Sequence, residues 1–338
     1  MLKDDLKNTL NLKLLILFHL LLFRVENYNL KKGIIFGTIG VFLIGLQPVI
    51  SNARPSIIDP YIFAAITALI EALIFLPLYL IERRKLFVIS RKDSEKSNLN
   101  LLLHGWKKKK NLKLLIMIAL TFSIVPILLY IGYELAGAIN SSLALKSEII
   151  FALLFGSLFL REKRISKVQI IFCFVLFFGL IIAITQGSLN LLKFNLGVII
   201  LTISVALFTF IHTFTKSSFD RNELFPTQVV FIRNLLSGSI ILFIYLLFFP
   251  IENLLMIFDL ENFLFFLFMG LDYGFSLFVW YKAISYIQIG KAGIINSLTP
   301  ITTAFFSFII LKEVFTIYHL IGTIIIIISI FMIVREKK

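Results

Sequence analysis

Lys146 and Glu148 stand near the middle of an apolar run, INSSLALKSEIIFALLFGSLFL (139–160), which then breaks into REKRISK. A charge at the centre of a bilayer costs about 2.5–3.5 kcal/mol on insertion scales, so it needs a partner, a proton or a wet cavity. Two residues apart on an α-helix is about 200° of rotation. The spacing therefore predicts that each looks to a different element. Glu148 is a candidate for binding a cation or a coupling proton, because a carboxylate buried in a functional cleft can exchange protons near neutrality; the alternative is a structural pair between helices. Lys146 is either neutralised by Glu71 or Asp272, which lie mid-run elsewhere, or presented to a substrate carboxylate or phosphate.

Other groups could join them. Asn296, Thr299, Thr303 and Ser307 fall on one face of a helix, with Leu145, Glu148, Ala152 and Gly156 as counterparts earlier in the chain. Asp272, flanked by Gly270, Tyr273 and Gly274, suits a cavity wall or a bridge to Lys146. Arg233 lies about a turn and a half from a run's end, where it either snorkels to the interface, binds an anionic group or closes an inner gate. Tyr130, Tyr273, Trp280 and Tyr281 could stack on an organic solute; for Trp280 and Tyr281, near a run's end, interfacial anchoring is the simpler role. His212 reads as a packed histidine. The four histidines and lone Cys173 form no cluster of metal ligands or nucleophiles, so neither a metal, a cofactor nor an intramembrane enzyme is expected.

The elements that must hold these residues are membrane spans. The 338-residue chain is 59% hydrophobic and 15% charged, more apolar than a soluble domain can bury. Ten spans are predicted at roughly 33–51, 60–81, 112–132, 138–160, 168–186, 196–215, 227–249, 263–284, 288–310 and 317–334. Residues 1–32 carry a run too short to span, Leu14 to Phe23, which is expected to lie in the cytoplasmic interface, with an additional span as the rival. Pro300 is expected to bend the ninth span by removing a backbone hydrogen bond.

The net charge of +14 is not spread as a nucleic-acid surface would be. With the N-terminus inside, segments 1–32, 82–111, 161–167, 216–226, 282–291 and 335–338 hold nearly all of the basic residues. The outer connections hold Arg54, Lys193 and Lys312, and 250–262 is acidic through Glu252, Asp259 and Glu261. The positive-inside rule then predicts cytoplasmic termini in a multi-pass protein of the cell membrane. The 82–111 connection, ending in Lys107 to Lys110, reads as a polar loop that anchors topology or docks on anionic lipid.

An internal repeat sets the architecture. Placing Glu162 on Glu313 aligns SLFLREKR with FIILKEVF and Tyr130 with Tyr281; Gly33 meets Gly197, and Pro60 meets Pro226 after a two-residue adjustment. The unit has five spans, an odd number, so the second copy must enter the membrane inverted. Loop charge agrees: REKRISK after the fourth span is rich in cations, whereas LKEVFT after the ninth has one lysine. Inverted repeats around a midplane site are typical of secondary transporters.

These features resemble the EamA-type members of the drug/metabolite transporter superfamily, over about 33–335. The resemblance is carried by NSSLALKSEIIFALLFGSLFLREKRIS and by AGIINSLTPITTAFFSFIILKEVFTIYHLIGTI, with Pro300 and Glu313; in the first copy Ile149 stands where proline is usual. The resemblance implies export or uptake of small metabolites through a central cavity lined by the fourth and ninth spans.

The expectation is an all-α integral membrane protein with ten spans in two inverted five-helix repeats. Residues 1–32 form an N-terminal segment, 33–186 and 187–335 the repeats, and 336–338 the tail. The function expected is alternating-access transport of a small organic metabolite, with proton coupling resting on Glu148 and Asp272. Substrate binding is assigned to Glu148, Lys146, Asp272, Asn296, Thr299, Tyr130 and Tyr273, and gating or charge pairing to Glu71 and Arg233. The partners are a small solute and membrane lipid, with a second copy of the chain allowed and nucleic acid not expected. The rival reading is a structural or regulatory membrane protein with densely packed faces on spans four and nine.

Overall fold

A computed structural model describes residues 28–92, 97–159, 165–189, 196–287 and 289–335. The expectations for the N-terminal run, the REKR step with Glu162, Lys193 and the last three residues fall outside them. Among the described residues, ten helices are long and apolar enough to cross a membrane. They are span 1, Leu30–Ala53; span 2, Pro60–Ser90; span 3, Lys109–Ala136; span 4, Ala138–Phe159; and span 5, Lys167–Ile184. Span 6 is Leu196–Asp220, span 7 Pro226–Phe248, span 8 Leu260–Tyr286, span 9 Lys291–Ile310 and span 10 Ile317–Arg335. Large apolar side chains point outward around the bundle, such as Phe248 at 78% and Phe174 at 72% exposure, as suits a lipid surround.

Local signals explain several ends. Pro60 and Pro226 open spans 2 and 7 at the position where a missing N–H costs nothing. Asp59 caps span 2 by accepting from the Tyr61 and Ile62 amides at 2.8 and 3.0 Å. Ser166 and Gln169 form a reciprocal capping box at the start of span 5. The predicted polar loop at 82–111 is instead largely helical: span 2 continues as helix to Lys92, and a short helix, Ser97–His104, follows.

Packing displays the inverted repeat. Span 1 packs on spans 8 and 9, as span 6 packs on spans 3 and 4; span 2 pairs with span 7, and span 5 with span 10. Each relation is carried into another, or into itself, when every span is exchanged for its counterpart five places on. The fine register agrees. Gly33 sits against Ile287 and Gly197 against Ala136, and the alignment that puts Glu162 on Glu313 also puts Ala136 on Ile287. Between spans 5 and 10, a Cβ on Gly322 would lie 2.6 Å from the Gly179 carbonyl oxygen, and one on Gly179 3.2 Å from the Gly322 carbonyl. Small residues let these backbones touch, as lipid-embedded helices require.

Spans 4 and 9 are broken at equivalent places. Span 4 passes from α-helix, Ala138–Ala144, through a 3₁₀ turn, Leu145–Ser147, to α-helix again at Glu148–Phe159. Span 9 runs Ile289–Asn296, turns, and resumes at Thr299–Ile310. Pro300 lies at the start of the second half of span 9, as expected of its missing N–H. Span 4 breaks with Ile149 in that place, a break not anticipated.

Candidate functional site

The breaks meet at the centre of the bundle. An amide N–H at position 300 would ordinarily bond the Asn296 carbonyl, four residues back, and proline has none. The freed oxygen accepts instead from the Lys146 ammonium at 2.7 Å and from the Thr299 hydroxyl at 2.6 Å. Asn296 is held at its other end too: its Oδ1 accepts from Thr299 Oγ1 at 2.7 Å, and its Nδ2 donates to Glu148 Oε2 at 3.4 Å. Lys146 is thus tied to span 9 by a carbonyl, not by Glu71 or Asp272, which corrects the expected ion pair. The 3₁₀ turn also changes the geometry expected of a regular helix, since Lys146 and Glu148 both line one cavity.

That cavity measures about 80 Å³ and is lined by residues of spans 1, 3, 4, 6, 7, 8 and 9. It has space for a few waters and is well below the roughly 300–1,000 Å³ of a drug-sized site. Five of the anticipated residues line it: Lys146, Glu148, Asn296, Tyr273 and Arg233. A second, smaller cavity of about 10 Å³ shares Glu148 and Asn296 in its lining and is bordered by Ala152 and Gly293. At the other end the halves of spans 4 and 9 are closed together by Glu313. Its carboxylate accepts from the Ala138 and Ile139 amides at 2.9 and 3.1 Å and from Ser307 at 2.7 Å, an anion on a helix N-terminus.

Arg233 is 2% exposed, so it does not snorkel. Its Nη2 lies 3.9 Å from Glu71 Oε2, and Asn234 bridges them, accepting from Arg233 Nε at 2.8 Å and donating to Glu71 at 2.6 Å. The guanidinium also stacks 3.8 Å from the centroid of the Phe122 ring.

The other expected residues stand elsewhere. Glu71 backs Arg233, and Thr299 backs Asn296. Tyr130 packs on Phe63 with ring centroids 4.8 Å apart, outside the cavity lining. Thr303 bonds the Gly45 carbonyl at 2.9 Å, so that face of span 9 is partly spent on packing against span 1. Asp272 also lies outside the cavity lining; neither of its buried oxygens has a hydrogen-bond partner among the described residues.

Trp280 and Tyr281 are 7% and 0% exposed, which overturns interfacial anchoring: Trp280 lines the cavity and Tyr281 stands edge-on to His212. His212 is packed, as expected, yet its ring also borders the cavity, and neither nitrogen is hydrogen-bonded among the described residues. Gln47, which donates to Ser276 at 2.6 Å, and Tyr133 were missed. Gln47 had a signal, a lone amide in an apolar run beside Pro48; Tyr133 had none.

The model of the EamA-like transporter family matches residues 31–185 and 195–335, one match to each repeat. The chain belongs to the EamA-like transporter family. It is therefore a multi-pass membrane transport protein within the drug/metabolite transporter superfamily. Over 237 residues it is 27% identical to an uncharacterized transporter of Methanothermobacter thermautotrophicus, covering 69% of this chain and 67% of that one. A solved crystal structure shares the fold with a TM-score of 0.60 at 11% identity, over 89% of this chain and 96% of the other.

Proposed function

We propose that this EamA-family protein moves a small organic metabolite by alternating access, with Lys146, Glu148 and Asn296 as the contact point for the solute's polar groups. The observation that carries the reading is the pair of matched helix breaks. They put an ammonium, a carboxylate and a freed carbonyl on the wall of one midplane cavity. Both charge signs at one wall suit a zwitterionic or strongly dipolar solute, and Phe122, Tyr133, Tyr273 and Trp280 supply the apolar surface around it. Glu148 is the group we assign to proton coupling, since it faces the cavity and its amide partner is 3.4 Å away. Glu71 and Arg233 form a charge pair at the cavity's edge, and Glu313 latches the outer end.

The domain limits follow the repeats, 33–186 and 187–335. The basic inner segments support termini in the cytoplasm of a cell-membrane protein. The test is uptake into proteoliposomes of a panel of radiolabelled amino acids, nucleobases, polyamines and phosphorylated metabolites. One class should accumulate in wild type, and Lys146→Met should reduce its uptake at least about tenfold. Equal uptake by Lys146→Met would remove that residue from binding.

A further inference from the structure

Spans 5 and 10 are counterparts in the repeat, and both open on a reciprocal pair of hydrogen bonds across three residues. At span 5 the Ser166 hydroxyl accepts from the Gln169 N–H at 3.1 Å, and the Gln169 side-chain oxygen accepts from the Ser166 N–H at 3.0 Å. At span 10 Thr316 Oγ1 accepts from the His319 N–H at 3.4 Å, while the Thr316 N–H points to His319 Nδ1 at 3.1 Å. A ring nitrogen therefore stands where the first copy has an amide oxygen. An amide does not titrate near neutrality, and an imidazole does.

The ring also joins three elements at the end of the bundle that Glu313 closes. Its Nε2 lies 2.9 Å from Gln186 Nε2, just past span 5, and 3.3 Å from Asn140 Oδ1 on span 4. Thr316 Oγ1 donates to Gln186 Oε1 at 2.7 Å, which ties span 10 to span 5 a second time. Two donors thus face the imidazole, the Thr316 N–H at Nδ1 and the Gln186 amide at Nε2. A neutral ring accepts from one of them, whereas a doubly protonated ring accepts from neither. Spans 4 and 5 present only amides to it, Asn140 and Gln186. The charged group that acts on it is Glu313, whose carboxylate holds the Ala138 and Ile139 amides directly before Asn140. A charged His319 would compete with those amides for the carboxylate. Gln186 is exposed, so the corner is open to the surroundings and a proton has a way in.

We propose that His319 is a pH-sensitive clasp: neutral, it pins the start of span 10 to spans 4 and 5; protonated, it lets go and loosens the end that Glu313 closes. Because the closed corner favours the neutral ring, closure is held at higher pH and lost on acidification. The clasp does not depend on which solute the cavity carries. The experiment follows maleimide modification of Ser142→Cys, a fully buried position on span 4, in the full-length Cys173→Ser protein in lipid nanodiscs. Each rate is divided by that of Phe258→Cys, an 86% exposed position, which cancels the pH dependence of the thiol itself. With His319 present, the ratio should rise at least about fivefold between pH ~7.5 and pH ~5.5. His319→Gln rebuilds the box in the form that span 5 uses, and its ratio should stay flat. Gln186→Asn, which suits the left-handed backbone there (φ 52°) but withdraws the amide from the ring, should shrink the rise. The proposal is overturned by a flat ratio with His319 present, or by an undiminished rise in either variant, which would place the sensor elsewhere.

Discussion

Removing one member of a buried ion pair strands the other. Glu71→Gln leaves Arg233, which is 2% exposed, with no anionic partner among the described residues. The expected loss is about 3–5 kcal/mol, read as a lower unfolding temperature in detergent; the double variant Glu71→Met with Arg233→Met should recover much of it. Glu223, in the connection between spans 6 and 7, is a different case. Burial opposes its charge, but hydrogen bonds from Lys108 at 2.8 Å, Arg221 at 2.8 Å and Asn111 at 3.2 Å prevail and hold its carboxyl down to about 2. Its folded-state pKa lies below the ordinary carboxylate value. The stability it contributes is therefore complete above pH ~4.3 and lost as the pH falls through about 2. Glu223→Gln should lower the unfolding temperature at neutral pH, and the gap to wild type should close on strong acidification. A gap independent of pH would mean that packing, not charge, is what the residue provides.

At the scale of the element, the helix breaks and glycine contacts carry the account. Pro300→Ala restores an N–H that competes with Lys146 for the Asn296 carbonyl. The expected outcome is a folded protein with impaired transport, checked by size-exclusion profile and proteoliposome uptake together. Gly322→Leu, by contrast, would drive a side chain into the backbone of span 5 and should yield no monodisperse protein. Much at this scale was legible in the chain: span positions from apolar length, and the bend from Pro300. The break in span 4 was not, because Leu145–Ser147 includes no proline or glycine and the turn there is imposed by its neighbours. The burial of Trp280 and Tyr281 was hidden for a related reason. A helix apolar on every side offers no polar face to tell lipid from protein, so which stripe turns inward is decided by packing.

For the whole molecule, duplication was the most readable feature, since the Glu162 and Glu313 alignment and the opposite loop charges demanded inversion before any contact was known. What that alignment could not reveal was which residues share the cavity. It placed Thr299 and Tyr130 with the solute-facing groups, where the structure has them supporting other side chains, and it passed over Gln47 and Tyr133. Convergence of seven spans on one space is a tertiary outcome that no single run encodes.

Alternating access makes a demand that a static or densely packed bundle does not: a residue on the cavity wall must be reachable from both faces of the membrane. Ser276, in the cavity lining on span 8, is suited to this because a cysteine there replaces a residue of similar size. In a Cys173→Ser background, Ser276→Cys would be reconstituted in proteoliposomes and exposed to a membrane-impermeant thiol reagent from outside or from the lumen. Modification from each side in turn, slowed by whichever metabolite the protein accumulates, is the result expected. Modification from neither side, or from one side alone under every condition, would contradict a transport cavity that opens alternately.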